Sequence, residues 1–139
     1  MNLETIFKLN ILAQTFMFVL IISWGGYVQY SNLDNITGGA VTDIGGFLFL
    51  IFSISYFFCL YSLYKLKYIG LKLFLPLVGI FIVLGFATEF INPFQFSKDL
   101  FYLLIFYIIS PVFFVSQGVL ISLLYFTEIK NKFDPTRAD

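Results

Sequence analysis

Residues 44–72 read IGGFLFLIFSISYFFCLYSLYKLKYIGLK, and this stretch decides the fold. From Ile44 to Tyr64 it holds no charged side chain; Lys65, Lys67 and Lys72 then follow within a few positions. Roughly 20 apolar residues, each rising ~1.5 Å, cross the hydrocarbon layer of a bilayer. No water satisfies the backbone inside that layer, so the run must be helical. Short basic segments stay on the cytoplasmic face, so this span is expected to end inside.

The rest of the chain repeats the pattern. Working outward, apolar runs at about 7–28, 71–91 and 100–126 join the run at 44–64. The expected fold is therefore an all-α integral membrane protein, a single four-transmembrane-helix bundle. Of 139 residues, 60% are hydrophobic and 12% charged, a balance that fits a polytopic membrane chain and leaves no length for a second globular domain. The first run could imitate a signal peptide. However, Glu4 weakens its basic region, and Trp24 to Tyr27 does not read as a small-residue cleavage site.

Charge placement gives the orientation. Lys8, Lys65, Lys67, Lys72, Lys130, Lys132 and Arg137 fall on one side of this layout, and Lys98 alone lies opposite. The same side carries Glu4, Glu128, Asp134 and Asp139; the other carries Asp34, Asp43, Asp99 and the boundary residue Glu89. The net charge is zero, but it divides into plus three inside and minus three outside. Both termini and the middle loop are expected in the cytoplasm. A bacterial inner membrane is the expected home, although the charge rule also operates in eukaryotic membranes. Trp24, Tyr27 and Tyr30 fit an outer interfacial belt, and Tyr61, Tyr64 and Tyr68 an inner one.

Several chemistries lack their residues. There is no His and only one cysteine, Cys59, so an internal disulfide, a CxxC centre and a multi-cysteine metal site are excluded. The glycine-rich stretch 38–46 has neither the GxGxxG pattern nor the Lys-Ser/Thr of a phosphate loop. No cofactor is expected. Sparse basic residues without a binding module argue against nucleic acid as a partner. A catalytic role is not expected, because no nucleophile stands in a recognisable relation to an acid, base or metal.

What remains is packing chemistry and a few polar groups in the apolar runs. Gly45, Gly46, Gly79, Gly85, Gly118 and Ser122 are candidate helix-interface residues, since small side chains let membrane helices approach closely. Ser53 and Ser55 are expected to bond to preceding carbonyls. Pro76 is tolerable near the start of its helix and would kink it farther in. Ser97 is a plausible cap for the final helix, and Ser110–Pro111 marks a bend within it.

Gln14, Gln117 and Glu89 are the candidate packing or pathway contacts. Gln14 and Gln117 lie at similar depth in spans of opposite direction, so an amide contact between them is possible. Glu89 stands close to Asn92 and Pro93, near the outer boundary, where its charge can be hydrated. Two functions are compatible with these features. The first is a noncatalytic component or assembly and regulatory subunit of a membrane complex, with the lipid bilayer and a membrane-protein partner or second copy as its contacts. The second is a small-solute or ion transporter or channel, with the transported solute undetermined. A weaker third reading is lipid binding through the basic hairpin.

Overall fold

Asn2 starts the first helix: its side-chain carbonyl accepts the Glu4 amide at 3.4 Å, and its backbone carbonyl accepts those of Thr5 and Ile6. Glu4 adds a negative charge to the first turn, where the helix dipole favours it. The computed structural model describes the backbone of residues 2–31, 39–91 and 103–133, and side-chain surroundings over 2–24, 47–83, 103–105 and 107–133. The chain folds as an all-α bundle: α1 (Leu3–Ser31), α2 (Gly39–Tyr64), α3 (Tyr68–Ile91), a π turn (Ile105–Ile109), α4 (Ser110–Phe126) and a closing 3-10 turn (Glu128–Lys132).

Among the described residues, the stretches Leu3–Trp24, Phe47–Tyr64 and Tyr107–Phe126 are long and apolar enough to cross a membrane, and Tyr68–Val83 is a shorter apolar stretch. Their outer faces are as apolar as their inner ones. Phe16 and Phe47 are each 65% exposed and Val115 is 68% exposed, a distribution that water would penalise and lipid would not. Burial of oily surface therefore does not distinguish core from exterior here. Close ring packing and hydrogen bonds do.

The core is built around Phe18 of α1. Its ring centroid lies 4.5 Å from that of Tyr56, 6.2 Å from Phe52, 6.3 Å from Phe81 and 6.0 Å from Phe113, so rings from all the long helices meet. Tilted and edge-on pairs of this kind add roughly 0.5–1.5 kcal/mol each beyond contact area. Along the bundle, α2 packs chiefly on α3, and α1 on α4.

The α2–α3 turn is tight. Leu66 adopts φ 56°, Lys67 N–H reaches the Ser62 carbonyl at 2.8 Å, and Leu66 N–H reaches that of Leu63 at 2.9 Å. This pair of bonds is the Schellman closure, here with leucine where glycine is usual. It lets α3 begin at Tyr68, so Pro76 falls well inside the helix rather than near its start. The Lys72 carbonyl, one turn earlier, consequently has no intrahelical donor from Pro76.

Pro111 is accommodated differently. The expected bend becomes a π turn before it. Both the backbone N–H and the hydroxyl of Ser110 donate to the Ile105 carbonyl, the hydroxyl at 3.0 Å. Pro111 then occupies the first turn of α4, where its missing N–H costs nothing. Ser97 and Lys98 lie outside the described residues, as do Tyr27 and Tyr30 for their side chains.

Candidate functional site

Two of the buried polar side chains, Gln14 and Gln117, meet in one place. The Tyr56 hydroxyl donates to Gln14 Oε1 at 3.1 Å and accepts from Gln117 Nε2 at 3.1 Å. Gln14 and Tyr56 are fully buried, and Gln117 is 3% exposed. One phenol thus ties α1, α2 and α4 together. A phenol can give one proton and take another, and this arrangement uses both capacities. The two glutamines meet through Tyr56 rather than directly.

A second tie supports the first one turn away. Ser116 donates to Asn10 Oδ1 at 3.0 Å, again joining α4 to α1. Gln14 Nε2 and the Ser62 hydroxyl are buried without a hydrogen-bond partner among the described residues. Such groups are uncommon, since each leaves desolvation uncompensated by roughly 1–3 kcal/mol.

Tyr56 and Asn10 were not singled out by the sequence reading. A depth comparison carries the missing signal for Tyr56. It lies eight residues before Tyr64, Gln14 lies seven after Phe7, and Gln117 lies nine before Phe126. At ~1.5 Å per residue all three sit roughly 10–14 Å from the same end of the bundle. A tyrosine at that depth is too far in for an interfacial belt.

The serines behave locally. Ser53 donates to the Phe49 carbonyl at 2.7 Å and Ser55 to that of Ile51 at 2.8 Å. Cys59 is buried, and its thiol donates to the Gly70 carbonyl at 3.5 Å.

Of the small residues, Gly79 and Gly118 have open space where a Cβ would stand, and Ser122 is exposed. Among the described residues, none of these mediates packing within the chain. The close approach occurs instead at Gly70, where an added Cβ would stand 2.7 Å from the Leu63 nitrogen. Gly45, Gly46, Gly85 and Glu89 lie on helical backbone, but their surroundings fall outside the described side chains.

The basic segments converge. Glu4 at the start of α1 pairs with Lys8 at 2.7 Å and with Lys132 of the closing turn at 2.5 Å. Lys8 also lies over the Tyr64 ring at the end of α2, 5.7 Å from its centroid. The amino end, the α2–α3 hairpin and the carboxyl segment therefore share one end of the bundle. Among the described residues, no three His, Cys, Asp or Glu side chains gather as a metal site.

The chain matches no protein-family model, and neither a curated protein nor a solved structure matches it.

Proposed function

We propose that this chain is a noncatalytic subunit of a membrane complex, a four-span bundle that assembles with a second copy or another membrane protein and stabilises or regulates it. The observation carrying this reading is the Tyr56 tie. It joins Gln14 and Gln117 to each other's helices, so these buried amides contribute to holding the bundle. Rings of Phe18, Phe52, Phe81 and Phe113 pack beside it. Open positions at Gly79 and Gly118 face outward, where a neighbouring helix could approach closely. In this reading the end bearing Lys8, the hairpin lysines and Lys132 faces the cytoplasm of a bacterial cell.

The rival reading, a small-solute or ion transporter, is favoured by one feature: the buried Gln14 Nε2 has a donor to spare. A polar solute passing that level would satisfy it. Glu89 would then be a second station near the outer boundary.

Purification in mild detergent, followed by cross-linking and mass determination, discriminates the two. Assembly predicts a species well above the 16.0 kDa of one chain. A chain that stays monomeric and supports robust flux of neutral solutes or cations after reconstitution overturns the subunit reading.

A further inference from the structure

The α2–α3 hairpin carries cations without acids. No Asp or Glu occurs between Asp43 and Glu89, yet Lys65, Lys67 and Lys72 all lie in that interval. Among the described residues, both ion pairs use Glu4, with Lys8 and Lys132 as the bases. Lys65 and Lys72 instead rest over rings, 5.9 Å from the Tyr61 centroid and 4.9 Å from that of Tyr68. A ring face steadies an ammonium without neutralising it. All three lysines are exposed.

A groove opens beside them. Ile54, Ser55 and Phe58 of α2 and Leu73 and Leu77 of α3 line an open apolar depression of about 380 Å³. The one hydroxyl in this wall, on Ser55, already donates to the Ile51 carbonyl. Ile54, Phe58, Tyr61 and Lys65 follow one another at spacings of four, three and four. Ile54, Phe58 and Tyr61 therefore form a single stripe on α2, and Lys65, one residue past the helix end, prolongs it from the groove to the charged turn. Phe58 lies ~10 Å and Ile54 ~16 Å below Lys65 along the helix axis. An acyl chain hanging beneath a headgroup occupies that depth.

We infer that this stripe is a binding site for one anionic phospholipid. Its phosphate sits between Lys65 and Lys67, and one acyl chain lies along Ile54, Phe58, Leu73 and Leu77. Charge complementarity selects this occupant over a partner helix, which would need a carboxylate at headgroup depth to answer lysines that have no acidic partner among the described residues. The site requires only that the hairpin lie at a membrane surface. It does not depend on what the bundle assembles with.

The test uses the full chain in nanodiscs of phosphatidylglycerol or phosphatidylcholine, released for native mass spectrometry to count retained lipids. The wild-type chain should retain phosphatidylglycerol over phosphatidylcholine by about tenfold. Replacing both lysines (Lys65→Gln with Lys67→Gln) should erase that preference, and Lys65→Arg with Lys67→Arg should keep it. Lys130→Gln removes an exposed lysine elsewhere and should leave the preference intact. Leu73→Trp, which narrows the groove, should lower retention of both lipids. Equal retention of both lipids by the wild-type chain overturns the site. So does an unchanged preference in the double Gln variant, or an equal loss in Lys130→Gln. A photoreactive amino acid in place of Phe58 should yield adducts of lipid mass; adducts of protein mass overturn the assignment of the occupant.

Discussion

Lys132 Nζ lies 2.5 Å from Glu4 Oε2, although 128 positions separate the two residues along the chain. The contact closes the bundle at its charged end. Thr127 makes it possible, since its hydroxyl donates to the Leu123 carbonyl at 2.6 Å and accepts the Ile129 amide at 3.3 Å. That pair of hydrogen bonds turns the chain out of α4 and lays the segment back beneath α1. Ile129 and Phe133 are then buried, with the Phe133 ring edge-on to Phe7 at 6.1 Å.

The apolar half of this clasp should matter more than the ionic half. Glu4, Lys8 and Lys132 remain partly exposed, so salt and water screen them. Phe133→Ala should destabilise the bundle by about 3 kcal/mol, the usual cost of removing a buried ring. Lys132→Gln should cost much less, and its small effect should vanish at high salt. Thermal unfolding in detergent at low and high ionic strength checks both. A larger loss from Lys132→Gln than from Phe133→Ala would reverse this order.

Tyr56→Phe keeps the ring beside Phe18 and removes only the hydroxyl. Gln14 Oε1 then loses its donor and Gln117 Nε2 its acceptor. The expected loss is about 1–2 kcal/mol, toward the upper end for a hydrogen bond between membrane helices. The effects should also be coupled. Gln14→Leu should cost less in the Tyr56→Phe background than in the wild type, because the partner is already gone. A double-mutant cycle measured by denaturant titration reads this directly, and strict additivity would contradict the tie.

Much of this architecture could be read from residue order, for a physical reason. A bilayer forces long uncharged runs into helices, so the stretch before Lys65 had few alternatives. The basic segments were expected on one side, and Glu4, Lys8, Tyr64 and Lys132 meet at one end of the bundle. Helix ends were less legible. The first helix runs from Leu3 to Ser31, beyond the expected 7–28; at its start, Asn2 caps the polar residues that precede the apolar run. Rotation about each helix axis was illegible. In lipid, inward and outward faces have the same composition, so no periodicity marks Gly70 as packed or Gly79 and Gly118 as open. The same blindness hid Tyr56, whose type suggests an interface while its depth places it at the core.

Gly70 is the position where one methyl group should do most damage. A Cβ there would stand 2.7 Å from the Leu63 nitrogen and 3.0 Å from Ser62 atoms, and backbone cannot swing aside as a side chain can. Gly70→Ala should therefore force α2 and α3 apart and cost about 2 kcal/mol or more. Gly79→Ala and Gly118→Ala meet open space and should leave monomer stability unchanged or slightly raised, since alanine favours helix. Unfolding midpoints of the three variants decide the matter. If Gly79→Ala or Gly118→Ala instead shifts the cross-linked mass toward one chain, those positions contact a partner.

Cys59 reports on the same hairpin. It is fully buried on α2, and its thiol points at the Gly70 carbonyl across the turn. Alkylation requires an approaching reagent, and a thiol buried against a helix interface is out of its reach. In the folded protein, N-ethylmaleimide should leave Cys59 unmodified, and mild oxidant should produce no disulfide-linked dimer. Unfolding in dodecyl sulfate should expose it fully. The informative comparison is with Gly70→Ala, which displaces the carbonyl that the thiol faces. Labelling in that variant should be faster than in the wild type under conditions where both retain their helical content. Fast labelling of the folded wild-type chain would mean that α2 and α3 are not packed at Gly70, and the predicted cost of Gly70→Ala would fail with it.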